Sequence, residues 1–166
     1  MLTENQKGAI NTLLSLYNWH SKIFNNALEG ISEKDAENRL NSKANHIKWI
    51  AGSLVHQRFE LGKLFGLEMQ DAGFGLFRDF KSIIEDAEYP TLATYQSDWE
   101  KISAVLADKL ANISAEQYNG PDPFQMPGGD YKFSDSISFM IDRESYCIGQ
   151  LGLFRRLLGY DAIKFD

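Results

Sequence analysis

Four long stretches of this sequence carry apolar residues at steps of three and four, the period of an amphipathic α-helix. In the first, from about Glu4 to Glu29, Ile10, Leu13, Leu14, Tyr17, Phe24 and Leu28 form the stripe, and Gly30 is the stop. In the second, Ile47, Ile50, Leu54, Leu61 and Phe65 line one face; Ser42 or Asn45 is placed to cap it, and Gly66 ends it. Thr91 caps the third, which runs to about Asn112 with Leu92, Tyr95, Trp99, Ile102, Leu106 and Leu110 in register. The fourth starts at Ser134, runs from Asp135 to Leu158 and ends at Gly159. Its apolar residues lie on nearly all sides, which predicts a buried helix.

The segments between these helices read differently. Ser32 followed by Glu33 to Leu40 predicts one short helical turn. Residues 66–90 hold Gly66, Gly73 and Gly75 and end at Pro90, which predicts a long crossover loop with a short helical piece around Phe80. Loops of that length are usually packed down or functional. The stretch from Asn119 to Asp130 contains three prolines and three glycines and cannot be helical, though it can form a short hairpin. Ile163 and Phe165 in the tail predict that residues 160–166 dock on the helices or on a partner. With no internal repeat and no composition shift, one all-α domain is expected over residues 1–166.

Its 166 residues are enough to bury a core without disulfides or metal. A net charge of −6, with no basic run, argues against a nucleic-acid partner. No apolar run is long enough to span a bilayer. One cysteine, Cys147, excludes an internal disulfide framework, and the polar start lacks the pattern of a secretory signal, so a cytoplasmic location is expected.

Few residues announce chemistry. His20 falls inside the first apolar stripe, between Tyr17 and Phe24, and is expected to point inward to a hydrogen-bond partner. Arg143 and Glu144 on an apolar helix would be costly unless they pair or line a wet cavity, and a structural ion pair is the expectation. Cys147 is expected to be buried, with a raised pKa that Arg143, one turn away, opposes. Asp142 and Glu144 lie on different faces of their helix and make a poor acid/base dyad. Gly73-Phe74-Gly75 lacks the setting of a phosphate loop, and Trp49 and Trp99 are expected in the core. There is no nucleophile elbow, no His-Glu-x-x-His and no Cys-x-x-Cys.

Two segments carry a resemblance. Asn45–His56 (NHIKWIAGSLVH) and Glu144–Gly159 (ESYCIGQLGLFRRLLG) are similar to the signature segments of DinB/YfiT-like proteins. Leu76–Phe80, Tyr89, Pro90 and Trp99 extend the likeness over nearly the whole chain. The resemblance implies a four-helix bundle with a long crossover loop, often dimeric, in which three histidines hold a divalent metal such as zinc or nickel. One histidine follows a Trp-x-x-Gly pattern on the second helix, and two at a spacing of four lie on the fourth. Characterised relatives include metal-dependent thiol transferases, isomerases and hydrolases.

In this chain the three matching positions are Ser53, Arg143 and Cys147, and none is histidine. Arg is a permanent cation with no lone pair to give, so it opposes a metal there. His56, three residues after Ser53 and about 60° around the helix, can reach toward the same pocket. His46 shares the face of Ser53 but sits near the helix start, where a structural or exposed role is expected.

Three functions therefore compete. The first is a metal-free pocket, with Ser53, His56, Arg143, Cys147 and His20 as its candidate residues, that binds a small molecule, anionic if Arg143 is its anchor. The second is a metal-dependent thiol transferase or hydrolase with a rebuilt site, His56 and Cys147 as ligands, helped by His20 or Glu60. The third is a non-catalytic scaffold that forms a homodimer through the apolar fourth helix and tail.

Overall fold

A computed structural model describes residues 1–166, and every regular element in it is helical. Four helices are long: α1 (Glu4–Leu28), α3 (Ile47–Leu64), α5 (Leu92–Ala111) and α7 (Phe133–Leu157). Three are short: α2 (Glu33–Ala36), α4 (Phe74–Phe77), which runs into a 3-10 turn at Arg78–Phe80, and α6 (Ala115–Asn119).

Local chemistry sets most of the boundaries. Thr3 and Gln6 open α1 with a reciprocal capping box, the Thr3 hydroxyl accepting from the Gln6 N–H while the Gln6 amide oxygen accepts from Thr3. Ser32, Thr91 and Ser114 cap α2, α5 and α6 through their hydroxyls. Gly30, Gly66 and Gly159 sit at positive φ just past α1, α3 and α7, a conformation glycine enters without a Cβ clash.

Several boundaries differ from the sequence expectation. The cap of α3 is His46, whose Nδ1 accepts from the Trp49 N–H at 3.0 Å, and neither Ser42 nor Asn45 takes that role. An imidazole nitrogen does here what a hydroxyl or amide usually does, and His46 is buried. α2 stops at Ala36, and Leu40 and Asn41 take positive φ in the turn before α3. α7 begins two residues early, at Phe133, with the Asp135 carboxylate reaching back to accept from the Lys132 N–H. The glycine- and proline-rich stretch before it closes with one antiparallel bridge, Pro121 to Lys132.

α1 and α3 each pack against both α5 and α7, and the four share one core. Trp99, Tyr17, Phe24, Leu54, Leu106 and Leu151 are fully enclosed there. The crossover between α3 and α5 is packed down over α3, with Phe77 and Tyr89 buried. The tail also docks on the helices: Tyr160 donates to Asp35, Asn26 donates to the Lys164 carbonyl, and Phe165 stacks on Trp19. Arg155 is buried and donates to the Ala27 and Glu29 carbonyls, satisfying acceptors that the end of α1 leaves open.

α7 is not buried all round. Phe139, Tyr146, Leu153 and Leu157 are 47%, 70%, 58% and 60% exposed. At 100° per residue they fall on one outward stripe, because the helix touches α1, α3 and α6 only on its other sides. No helix is long and apolar enough to cross a membrane.

Candidate functional site

The candidate residues fall into two groups on opposite sides of α7. On the side facing α3, Arg143 spans the helices. Its Nη2 donates to the Ser53 Oγ at 3.2 Å and its Nη1 to the Gln57 Oε1 at 3.0 Å, while the Gln57 Nε2 donates to the Met140 carbonyl. Ser53 in turn donates to the Ile50 carbonyl. Arg143 is half-buried and makes no ion pair with any carboxylate, Glu144 included. The expected structural ion pair exists, but Arg58 is the cation in it. Cys147, one turn further along, is buried; burial pushes its thiol pKa up, and the Arg143 charge opposes that.

His56 lies on the outer face of α3 with Trp49, Gly52 and Ser53, and its orientation is set by the crossover. Its Nδ1 is 2.9 Å from the Asp71 Oδ2, and the Phe74 and Phe77 rings flank it. The Glu60 Oε1 lies 3.9 Å from its Nε2. Asp71 is 3% exposed, and its other oxygen, Oδ1, has no partner. Trp49 Nε1 and Tyr95 OH are also buried without partners. Burial raises the Tyr95 pKa, and the charges of Asp71 and Asp98 add to the effect. The three atoms lie around one stretch of α3, between Trp49 and His56.

Gly52 lets these parts approach. A Cβ at that position would lie 2.5 Å from the Tyr95 ring and 2.6 Å from the Phe77 ring, so only glycine allows α5 and the crossover to close on α3.

His20 does not join this group. It points inward, as expected for a histidine on the α1 stripe, and meets Glu144 in the centre of the molecule, with its Nδ1 3.1 Å from the Glu144 Oε2. Glu144 also receives a fork from Arg58: Nε to Oε1 at 2.7 Å and Nη2 to Oε2 at 2.8 Å. The Arg58 guanidinium lies between the Trp99 and Tyr17 rings, 3.5 and 3.8 Å from their centroids, and donates to Ser21 and Ser103. Burial alone would raise the Glu144 pKa, but the charge and hydrogen bonds of Arg58 reverse this and hold it below the ordinary carboxylate range. On its other side His20 Nε2 is 2.8 Å from the Ser145 Oγ.

Sequence reasoning missed Arg58 and Asp71. Arg58 had a signal: it stands four residues after Leu54 and three before Leu61, in the middle of the α3 stripe. Glu144 likewise follows Ile141 by three on the buried face of α7, and two opposite charges on two core stripes point to a pair. Asp71 had none, since the path of the crossover decides where it falls.

No three of the His, Cys, Asp and Glu side chains are grouped as a metal cage, and His56 is engaged with Asp71 through the ring nitrogen that faces the crossover. The open hollows beside Lys63–Gln70 and between Phe65, Asn112 and Gln117 lie away from these groups. No protein-family model matches the chain, and no curated protein matches it.

Proposed function

We propose that this chain is a DinB/YfiT-like four-helix bundle in which Arg143 anchors a small anion between α3 and α7, at the place where such proteins hold a metal. The observation that carries this reading is the Arg143 guanidinium, half-buried, held by two neutral acceptors and facing no carboxylate. Two of its five N–H groups go to Ser53 and Gln57, so three remain to donate to a carboxylate or phosphate in the planar fork that guanidinium provides. Ser53, Arg143 and Cys147 suit this better than metal binding. They offer a hydroxyl, a fixed positive charge and a thiol whose proton burial holds in place.

The reading is tested by melting the protein against inorganic phosphate and a panel of small mono- and dicarboxylates. A ligand held by one site and supplied at a hundred times its Kd should raise the Tm by roughly 5–10 °C for a chain of this size. Arg143→Ala should abolish the rise. A rise of the same size in that variant would remove Arg143 from the account.

The outward stripe of α7 supports a second role, self-association. Phe139, Tyr146, Leu153 and Leu157 cover five turns of one helix face. A stable interface needs upward of about 1,000 Å² in total. Sedimentation at micromolar concentration should then give a dimer that Tyr146→Glu with Leu153→Glu dissociates; a wild-type monomer would exclude this role.

A further inference from the structure

On the side of α7 facing α1, three side chains outside the Arg143 cleft stand in a line. Ser145 Oγ is 2.8 Å from His20 Nε2, and His20 Nδ1 is 3.1 Å from Glu144 Oε2. From this geometry we propose that Ser145 is a nucleophilic serine, with His20 as its base and Glu144 as the group that orients the base, and that it accepts acyl groups from small aryl esters.

The hydrogen-bond polarity follows from the charges. Arg58 keeps Glu144 ionised, and an ionised carboxylate only accepts, so the proton between Glu144 and His20 sits on Nδ1. In the neutral imidazole that a base requires, Nε2 then carries the lone pair, and the Ser145 hydroxyl donates to it. His20 is 4% exposed and Glu144 2%, so base and orienter are fixed, whereas Ser145 is exposed to an incoming molecule. This is the order of roles that activates a serine in unrelated folds.

The surface of α7 beside Ser145 is open. Gly149, one turn along α7, opens to free space where any side chain would stand. Two turns along α7 from Ser145, Gly152 meets Ile163 of the tail, and Phe165 of the same tail stacks on Trp19, the neighbour of His20.

In the reaction, Ser145 Oγ forms a bond to the ester carbonyl carbon as its proton passes to His20 Nε2. The bond to the leaving phenol oxygen breaks, and that oxygen takes the proton from His20. Water, with His20 again as base, then cleaves the acyl-serine to the free acid. Backbone N–H groups around Ser145 are used in the ladder of α7, so no preformed pair of donors awaits the oxyanion. The leaving group must therefore be a good one, and turnover will be slow.

The test is p-nitrophenyl acetate, followed by peptide mass spectrometry of the intact folded protein. One acetyl group should appear on Ser145 about 100-fold faster than on the exposed serines Ser15 and Ser97, the advantage a positioned base supplies. His20→Gln should remove that advantage, and Ser145→Ala should remove the adduct with the circular dichroism spectrum unchanged. Acetylation spread evenly over exposed serines and lysines in the wild type would overturn the proposal, and that comparison needs no variant to fold. Equal labelling of Ser145 with and without His20 would overturn it as well. None of these readings depends on Arg143.

Discussion

Arg58 is a charged residue in the middle of a hydrophobic stripe, and its surroundings explain how the fold tolerates it. Two aromatic rings cover its faces, and its fork is spent on Glu144, Ser21 and Ser103. Removing one member of such a pair strands the other in a medium that solvates it poorly, at about 3–5 kcal/mol, whereas replacing both with apolar residues of similar volume can be nearly neutral. Urea unfolding of Arg58→Met should show that loss, and Arg58→Met combined with Glu144→Leu should recover most of it. Losses that simply add in the double variant would mean that the two side chains do not act as a pair.

At the scale of the helix, α3 concentrates what the sequence could and could not reveal. Its apolar stripe and its end at Gly66 were readable from spacing, because periodicity is a local property. Its start was not: His46 caps it only because the imidazole is buried as a neutral acceptor, which tertiary packing decides. Burial lowers the His46 pKa below that of the unfolded chain, about 6.5. The stability that follows is therefore complete above that value and is lost as pH falls through the folded-state pKa, since a protonated Nδ1 can no longer accept from Trp49. His46→Ala should cost about 1 kcal/mol at pH 7.5. His46→Asn should keep the cap and show a shallower fall in Tm between pH 7 and pH 5 than wild type; parallel curves for the two would refute the cap.

Gly52 is the other feature of α3 that spacing could not explain. In the sequence it is one glycine in a helix, and in the structure it is where Tyr95 and Phe77 come closest to the α3 backbone. Gly52→Ala places a methyl group against two rings and should destabilise by about 1–3 kcal/mol, although alanine is the better helix former. A stabilised variant in thermal melts would mean that the crossover gives way easily.

Across the whole molecule, the long helices, the crossover and the docked tail follow from hydrophobic pattern and turn residues, which are written along the chain. The pattern overreached at α7, where apolar residues on every side do not all reach the core; Tyr146 and Leu153 face outward because a helix meets neighbours on only part of its circumference. The candidate site was readable in part. Ser53, Arg143 and Cys147 were picked out by their places in two motif-like segments, and the structure brings Arg143 to Ser53. It takes His20 to a different partner and ties His56 to Asp71, because those pairings depend on how α1 and the crossover pack on α3 and α7. We propose that Arg143, a cation that pairs with no carboxylate, receives an anion, and calorimetric titration tests this most directly. Phosphate or a small carboxylate titrated into wild type should give a saturable isotherm with one site per chain, weakened in Arg143→Lys and absent in Arg143→Ala. No heat from any anion in the wild type, or the same isotherm in all three proteins, would contradict the account.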